Sequence, residues 1–286
     1  MWIFGCNGLG RTTAEFVIRK GYGRVGLCDP DTVETSNLHR TLWRHDAVGE
    51  FKVIQAITEL CEVAPGKTEL LGYVGTLEET FSDGLVSGAT ACIVGIDNDS
   101  GRAHAATELL KAEIPGIFFA LSKDTYTYEV FVQQPGGPCW ACAHPDRYVQ
   151  GISYFETTAC PKVPSIADPC LVAVGLCSYA LDSLIMNRPR SWNFRQGHLH
   201  GELPERIQRL ERRSDCPLCG GNPTERFRQS RMVPHAYEGT IPEQRLTRRG
   251  TDRPHQLASN LLGFVLPTCL RCFLRSRFWL ANSFSS

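Results

Sequence analysis

Gly5-Cys6-Asn7-Gly8-Leu9-Gly10 separates a short apolar run, Trp2-Ile3-Phe4, from a helix-length stretch, Leu9 to Lys20. The apolar run suits a buried parallel strand. The chain must then turn sharply and let a ligand approach its backbone. Glycine permits both, because it has no Cβ and tolerates positive φ. A helix starting there aims free N–H groups and the positive end of its dipole at an anion. Gly21 and Gly23 suit the helix stop, and Arg24-Val25-Gly26-Leu27-Cys28 reads as a second strand. Asp29 at its end can accept hydrogen bonds from ribose hydroxyls. Asp29-Pro30-Asp31 and Ser36-Asn37-Leu38-His39-Arg40 follow. Arg40 adds a cation that a simple dinucleotide site does not need, so the three blocks together lean towards ATP rather than NAD.

The 286 residues can bury a full core, in one large domain or two small ones. Formal net charge is zero but unevenly spread: residues 1–221 carry 20 basic and 26 acidic side chains, residues 222–286 carry 10 and 4. No apolar run approaches the roughly 20 residues of a membrane helix. Trp2-Ile3-Phe4 is too short for a signal-peptide core and lacks a charged leader. A cytoplasmic setting is therefore expected. Thirteen cysteines without an export signal favour metal or thiol chemistry over a disulfide framework.

Strands and helices go on alternating. Helices are expected over Phe51 to Ala64, Leu77 to Val86, Ser100 to Glu113 and Ser165 to Met186, the last interrupted or restarted by Pro169. Strands are expected over Thr68 to Val74, Ala91 to Gly95, Gly116 to Leu121, Tyr126 to Val132 and Trp192 to Arg195. Residues 143–164 read as irregular. This order predicts an α/β fold with a doubly wound, Rossmann-like, mostly parallel sheet whose ligands sit at the C-terminal strand ends. Asp29, Asp31 and Asp97 all fall at such ends. A zinc-tied lobe is expected from about residue 134.

The sequence resembles the ThiF/MoeB/HesA group of adenylating enzymes, relatives of the ubiquitin-activating enzymes. The resemblance runs from about Trp2 to Gly220. It rests on the Gly5–Gly10 loop, Asp29-x-Asp31-x-Val33, Ser36-Asn37-Leu38-x-Arg40 and Val48-Gly49-x-x-Lys52. Asp97-Asn98 with Arg102, Cys139-x-x-Cys142 and Cys216-x-x-Cys219 complete it. It implies an enzyme that binds ATP and Mg2+ and adenylates the C-terminal carboxylate of a ubiquitin-like or sulfur-carrier protein ending in Gly-Gly. A homodimer is implied as well. Asn7 stands where a glycine is common in the family, and Thr41 where a glutamine is. The chain begins directly at its first strand, where family members usually carry a helix and an arginine that completes the partner subunit's site.

The chemistry agrees with this resemblance. A carboxylate attacking an α-phosphate brings two anions together, so the site needs fixed cations and a metal. Arg40 can clamp phosphate oxygens in a fork and Lys52 can act as a point charge. Asp97 is the candidate magnesium ligand, since that ion prefers carboxylate and phosphate oxygens. Nucleotide contacts are expected from Gly5, Gly8, Gly10, Arg11, Asp29, Asp31, Asn37, Arg40, Lys52, Asp97 and Asn98. Two C-x-x-C pairs, Cys139/Cys142 and Cys216/Cys219, can complete a tetrahedral zinc shell. Cys269-x-x-Cys272 is a rival second pair. In the family, a cysteine placed as Cys160 is can take the activated carrier as a thioester or persulfide; the alternative is an incidental buried thiol. Cys170 and Cys177 read as helix core, Cys6 as backbone-defined. His198 and His200 read as surface histidines rather than metal ligands.

Residues 1–221 are expected to form the adenylation domain, and 222–286 a basic, poorly ordered extension. Neither nucleic acid nor membrane is expected as a partner. Two other readings stand beside the adenylating enzyme. An NAD-dependent oxidoreductase would need the glycine loop and Asp29 but not Arg40, Lys52 and Asp97 together. A degenerate scaffold would bind a ubiquitin-like partner without activating it.

Overall fold

The structure, a computed structural model, describes residues 1–121, 126–153, 167–199, 201, 204–220 and 264–266. Five parallel strands form the centre of the sheet: β1 (Trp2–Phe4), β2 (Arg24–Cys28), β3 (Glu69–Tyr73), β4 (Cys92–Val94) and β5 (Gly116–Leu121). Their order across the sheet is β5-β4-β1-β2-β3, so the topology reverses between β1 and β4. That reversal is where an open α/β sheet leaves a crevice for its ligand. The antiparallel strands β6 (Thr127–Gln133), β7 (Phe194–His198) and β8 (Arg206–Gln208) extend the β5 edge. At the opposite edge β9 (Phe264–Leu266) pairs antiparallel with β3.

Both faces of the sheet are covered. Along β1, Ile3 packs into one apolar cluster while Trp2 and Phe4 pack into the other. Helices α1 (Gly8–Arg19) and α2 (Lys52–Cys61) cover the first face, together with α7 (Ala167–Ile185). Helices α3 (Leu77–Ser82), α4 (Asp99–Lys111), α5 (Trp140–Ala143) and α6 (Pro145–Ser153) lie over the second. Both clusters are nearly dry: Ile3, Val17, Leu27, Ile93 and Leu109 have no exposed surface. This two-sided burial gives the strands their continuous apolar runs.

The first two helices fall within a few residues of expectation. The helix expected to reach Val86 ends at Ser82, four residues early. The stretch read as irregular contains α6, which Pro145 opens at the position where a missing N–H costs nothing. Pro169 lies in the first turn of α7, where a helix tolerates it, so it does not break the helix. The strand expected over Trp192 to Arg195 is displaced to Phe194–His198, and β8 and β9 were not anticipated. Apart from 264–266, the extension from 222 onward lies outside the described residues, as do Cys160, His200, Cys269 and Cys272. No helix among the described residues is long and apolar enough to cross a membrane.

Candidate functional site

Three glycines bring the ends of β1 and β4 into backbone contact. Gly5 has φ +88°, and a Cβ there would stand 2.8 Å from the Gly95 carbonyl oxygen. A Cβ on Gly10 would stand 1.7 Å from the Gly5 oxygen. The first turn of α1 is therefore folded hard against the loop that precedes it. Asn7 sits at φ −82°, so the left-handed tolerance that distinguishes asparagine is not used. Its side chain makes no capping bond to the helix, and its Oδ1 is buried without a hydrogen-bond partner. With no side chain capping α1, its leading N–H groups are left for an anion.

Asp29 closes the second side. It is 4% exposed, and its Oδ2 accepts from the Cys6 N–H at 2.6 Å while Oδ1 accepts from the Asp31 N–H at 2.9 Å. Burial raises its pKa, and the nearby Lys52 charge and these two backbone bonds oppose that rise. The Cys6 bond ties the glycine loop to the end of β2, so Cys6 serves through its backbone, as expected. Burial pushes the Cys6 thiol well above the ordinary range.

Lys52 returns to this point through a backbone clasp. Val33 donates to Glu50, Gly49 to Val33, and Lys52 to Asp31. Gly49 turns the chain at φ +96°, which explains a glycine in that motif. The clasp sets Lys52 Nζ 2.7 Å from Asp31 Oδ2 and 3.8 Å from Asp29 Oδ1. The lysine is buried while the Asp31 side chain is 62% exposed, so a single ammonium sits between one dry and one wet carboxylate. An ammonium carries three donors, which leaves some for phosphate oxygens.

Asn37 is buried in a 3-10 turn, Thr35–Arg40. Its Oδ1 accepts from the Glu34 N–H, so part of its hydrogen-bonding capacity shapes this turn. Arg40 ends the same turn. Arg11 is buried and its guanidinium is already engaged: it donates to Glu59 at 2.7 Å and to Glu15 at 3.3 Å, and lies over the Trp43 ring.

Beyond β4, Asp97 is exposed, and its carboxylate meets the Asn98 amide at 3.5 Å. Asn98 itself caps α4, its Oδ1 accepting from the Gly101 N–H at 2.7 Å. The neighbouring Asp99 is held by Arg102 and Arg147, both at 2.8 Å. Arg147 reaches this point from α6, which sequence spacing did not anticipate, because the contact exists only once α6 packs on α4. Behind it Glu129 is 3.4 Å from Arg147 and 3.0 Å from His144 Nε2, the latter close enough for ion pairing but not aligned as a hydrogen bond. Burial would raise the Glu129 carboxyl, but His144 and the two arginines hold it below the usual range.

The four paired cysteines meet. Cys139 and Cys216 sulfurs are 3.5 Å apart, Cys142 and Cys219 3.3 Å, and all four sulfurs lie within 4.8 Å of one another and are buried. Zn–S bonds of about 2.3 Å in a tetrahedron put sulfurs roughly 3.8 Å apart, so the quartet fits such an ion. Cys170 and Cys177 are buried in α7, as expected of core cysteines. His198 packs against the Tyr126 ring on β7.

A profile of the ThiF family matches residues 1–201. Adenylyltransferase and sulfurtransferase MOCS3 of Mus musculus is 29% identical over 231 residues, which cover 78% of this chain and 48% of that protein. The chain thus spans about half the length of that relative. The sulfur carrier protein adenylyltransferase of Thermus thermophilus is 27% identical over 78% of this chain and 83% of its own. The crystal structure of E. coli MccB with ATP superposes with a TM-score of 0.62 at 21% identity, covering 77% of this chain and 66% of that one. That likeness extends to the fold. With the glycine loop, the two acidic strand ends and Lys52 all inside the matched residues, the chain belongs to the ThiF family.

Proposed function

We propose that this protein uses ATP to adenylate the C-terminal carboxylate of a ubiquitin-like or sulfur-carrier protein ending in Gly-Gly. The observation that carries the reading is the buried Lys52 ammonium held between Asp29 and Asp31. It stands beside an uncapped helix N-terminus joined to Asp29 through Cys6. An NAD site needs the acidic strand end but no such cation. Names of relatives that include adenylyltransferase support the same reading.

In this reading the loop N–H groups and Lys52 hold the phosphates, assisted by Arg40 and Asn37, while Asp29 and Asp31 accept from the ribose. Lys52 opposes charge that develops as the carboxylate attacks the α-phosphorus and pyrophosphate leaves. Asp97 is exposed, and among the described residues no cation pairs with it, which suits a magnesium ligand; the ion would neutralise phosphate charge when bound. Cys160 would then attack the acyl adenylate as a thiolate, forming a thioester as AMP leaves, or assist sulfur transfer. Cys139, Cys142, Cys216 and Cys219 would hold zinc in a structural role, tying the C-terminal lobe of a 1–221 adenylation unit to its body. A cytoplasmic homodimer is the expected form.

Pyrophosphate–ATP exchange with a panel of Gly-Gly-ending carriers tests this. Exchange with at least one carrier, lost in Asp97→Ala, is the expected result. Cys160→Ala should still exchange but form no covalent adduct. A folded chain that exchanges with no carrier would replace the enzyme reading with the non-activating scaffold, and exchange unaffected by Asp97→Ala would remove Asp97 as metal ligand.

A further inference from the structure

The end of the sheet opposite the glycine loop holds a second concavity. Parallel strands β4 and β5 begin there, and β6 finishes there, since Gln133 pairs with Gly116. A pocket of about 350 Å3 opens beside it, bounded by Gln134, the last turn of α7 and the chain from Asn187 to Asn193. That volume lies in the range of small-ligand sites.

The lining is one-sided in charge. Arg188, Arg190 and Arg209 contribute to it, and among the described residues no aspartate or glutamate does. Arg190 is 8% exposed. Its Nη1 donates to the Ala180 carbonyl at 3.2 Å and to Ser183 Oγ at 2.8 Å, and its Nη2 to Gln134 Oε1 at 3.3 Å. These bonds fix the fork, but every acceptor is neutral. Its Nε is buried without a partner. Arg209 turns one nitrogen onto the Arg190 carbonyl at 2.8 Å, bringing a second guanidinium alongside. Asp182, the nearest acid in sequence to this turn, is hydrogen-bonded by Lys20 and Tyr22 on another element and lies within electrostatic reach of Arg188, but it makes no bond to Arg190. A buried guanidinium without a counter-ion is costly, and burial together with the Arg209 charge holds Arg190 below its ordinary basicity. The deficit is one negative charge. Arginine forks match oxyanion geometry.

We propose that this pocket binds a small oxyanion, a phosphate or a carboxylate, with Arg190 as its buried contact and Arg188 and Arg209 as its exposed clamps. The site is separate from the nucleotide crevice and does not depend on the adenylation reading.

Calorimetric titration of the full chain with inorganic phosphate and, separately, with citrate at constant ionic strength tests the proposal. At least one should bind with one-to-one stoichiometry, and which one does so identifies the ligand as phosphoryl or carboxylate. Binding should weaken by about tenfold or more in the Arg188→Ser/Arg209→Ser double variant. Both residues are exposed, so the core is left intact. Binding should persist in Lys52→Met protein that circular dichroism shows to be folded. Silence with both anions, parental affinity in the double variant, or loss in folded Lys52→Met would each overturn the assignment.

Discussion

Lys52 Nζ lies 3.8 Å from Asp29 Oδ1, with both side chains only 4% exposed. Neither group is stable alone in so dry a setting. Removing one partner of a buried pair strands the other's charge. Lys52→Met should therefore destabilise the fold by about 3 kcal/mol in urea unfolding, and it should abolish exchange in protein that remains folded. A loss of stability near zero would mean that the Cys6 and Asp31 N–H bonds alone sustain Asp29.

Asp97 and Asn98 are adjacent but carry different duties. Asn98→Ala removes the α4 cap and should cost about 1 kcal/mol. Asp97→Ala should leave the urea midpoint within error while eliminating exchange. If Asp97→Ala were the less stable of the two, its carboxylate would be structural.

Gly10→Ala should yield little soluble protein, since its Cβ would lie 1.7 Å from the Gly5 carbonyl oxygen and neither backbone can yield. Gly175 offers the control: nothing lies within 4 Å of a Cβ there, on an exposed face of α7. Gly175→Ala should stabilise by about 0.5 kcal/mol, chiefly by restricting the unfolded chain. Thermal melts of the two variants should move in opposite directions.

Glu129 sets an acid limit. Despite burial, its folded pKa is lowered by His144, Arg147 and Arg102. A carboxyl depressed in the folded state contributes stability above its unfolded value, about 4.3, and loses it as pH falls through the folded value. Stability should therefore drop below about pH 4.3. Glu129→Gln should be less stable at neutral pH and show a flatter acid limb, read from urea midpoints against pH.

Metal analysis of the purified chain should find one zinc per chain. Cys216→Ser should lose it and lower Tm by roughly 5 °C or more. A metal-free parent with an unchanged Tm would leave the four sulfurs as packing only.

Much of this site was legible before folding, because its signals are local. The loop needs glycine for reasons confined to a few residues, and the paired cysteines declare themselves by spacing. Asp29 and Asp97 stand out because a strand end is visible as the end of an apolar run. Other features were not legible. Arg11 follows the loop and is expected to touch phosphate; that its guanidinium also pairs with Glu59, on another helix, no spacing encodes. The Arg147–Asp99 pair and the Glu129–His144 contact join elements whose packing no spacing encodes.

The sequence by itself determined the alternation of strands and helices, the glycine turn at Gly5 and Gly10, and the C-x-x-C spacing that marks the paired cysteines. Each follows from backbone sterics, burial periodicity or ligand spacing within a single segment. Tertiary structure alone decided that Lys52 lies between Asp29 and Asp31, and that the two cysteine pairs converge. It also decided that Arg190 is buried with no acidic partner among the described residues. Those relationships depend on which segments meet across the sheet, and burial then turns ordinary charges into strong ones by removing the water that would have screened them.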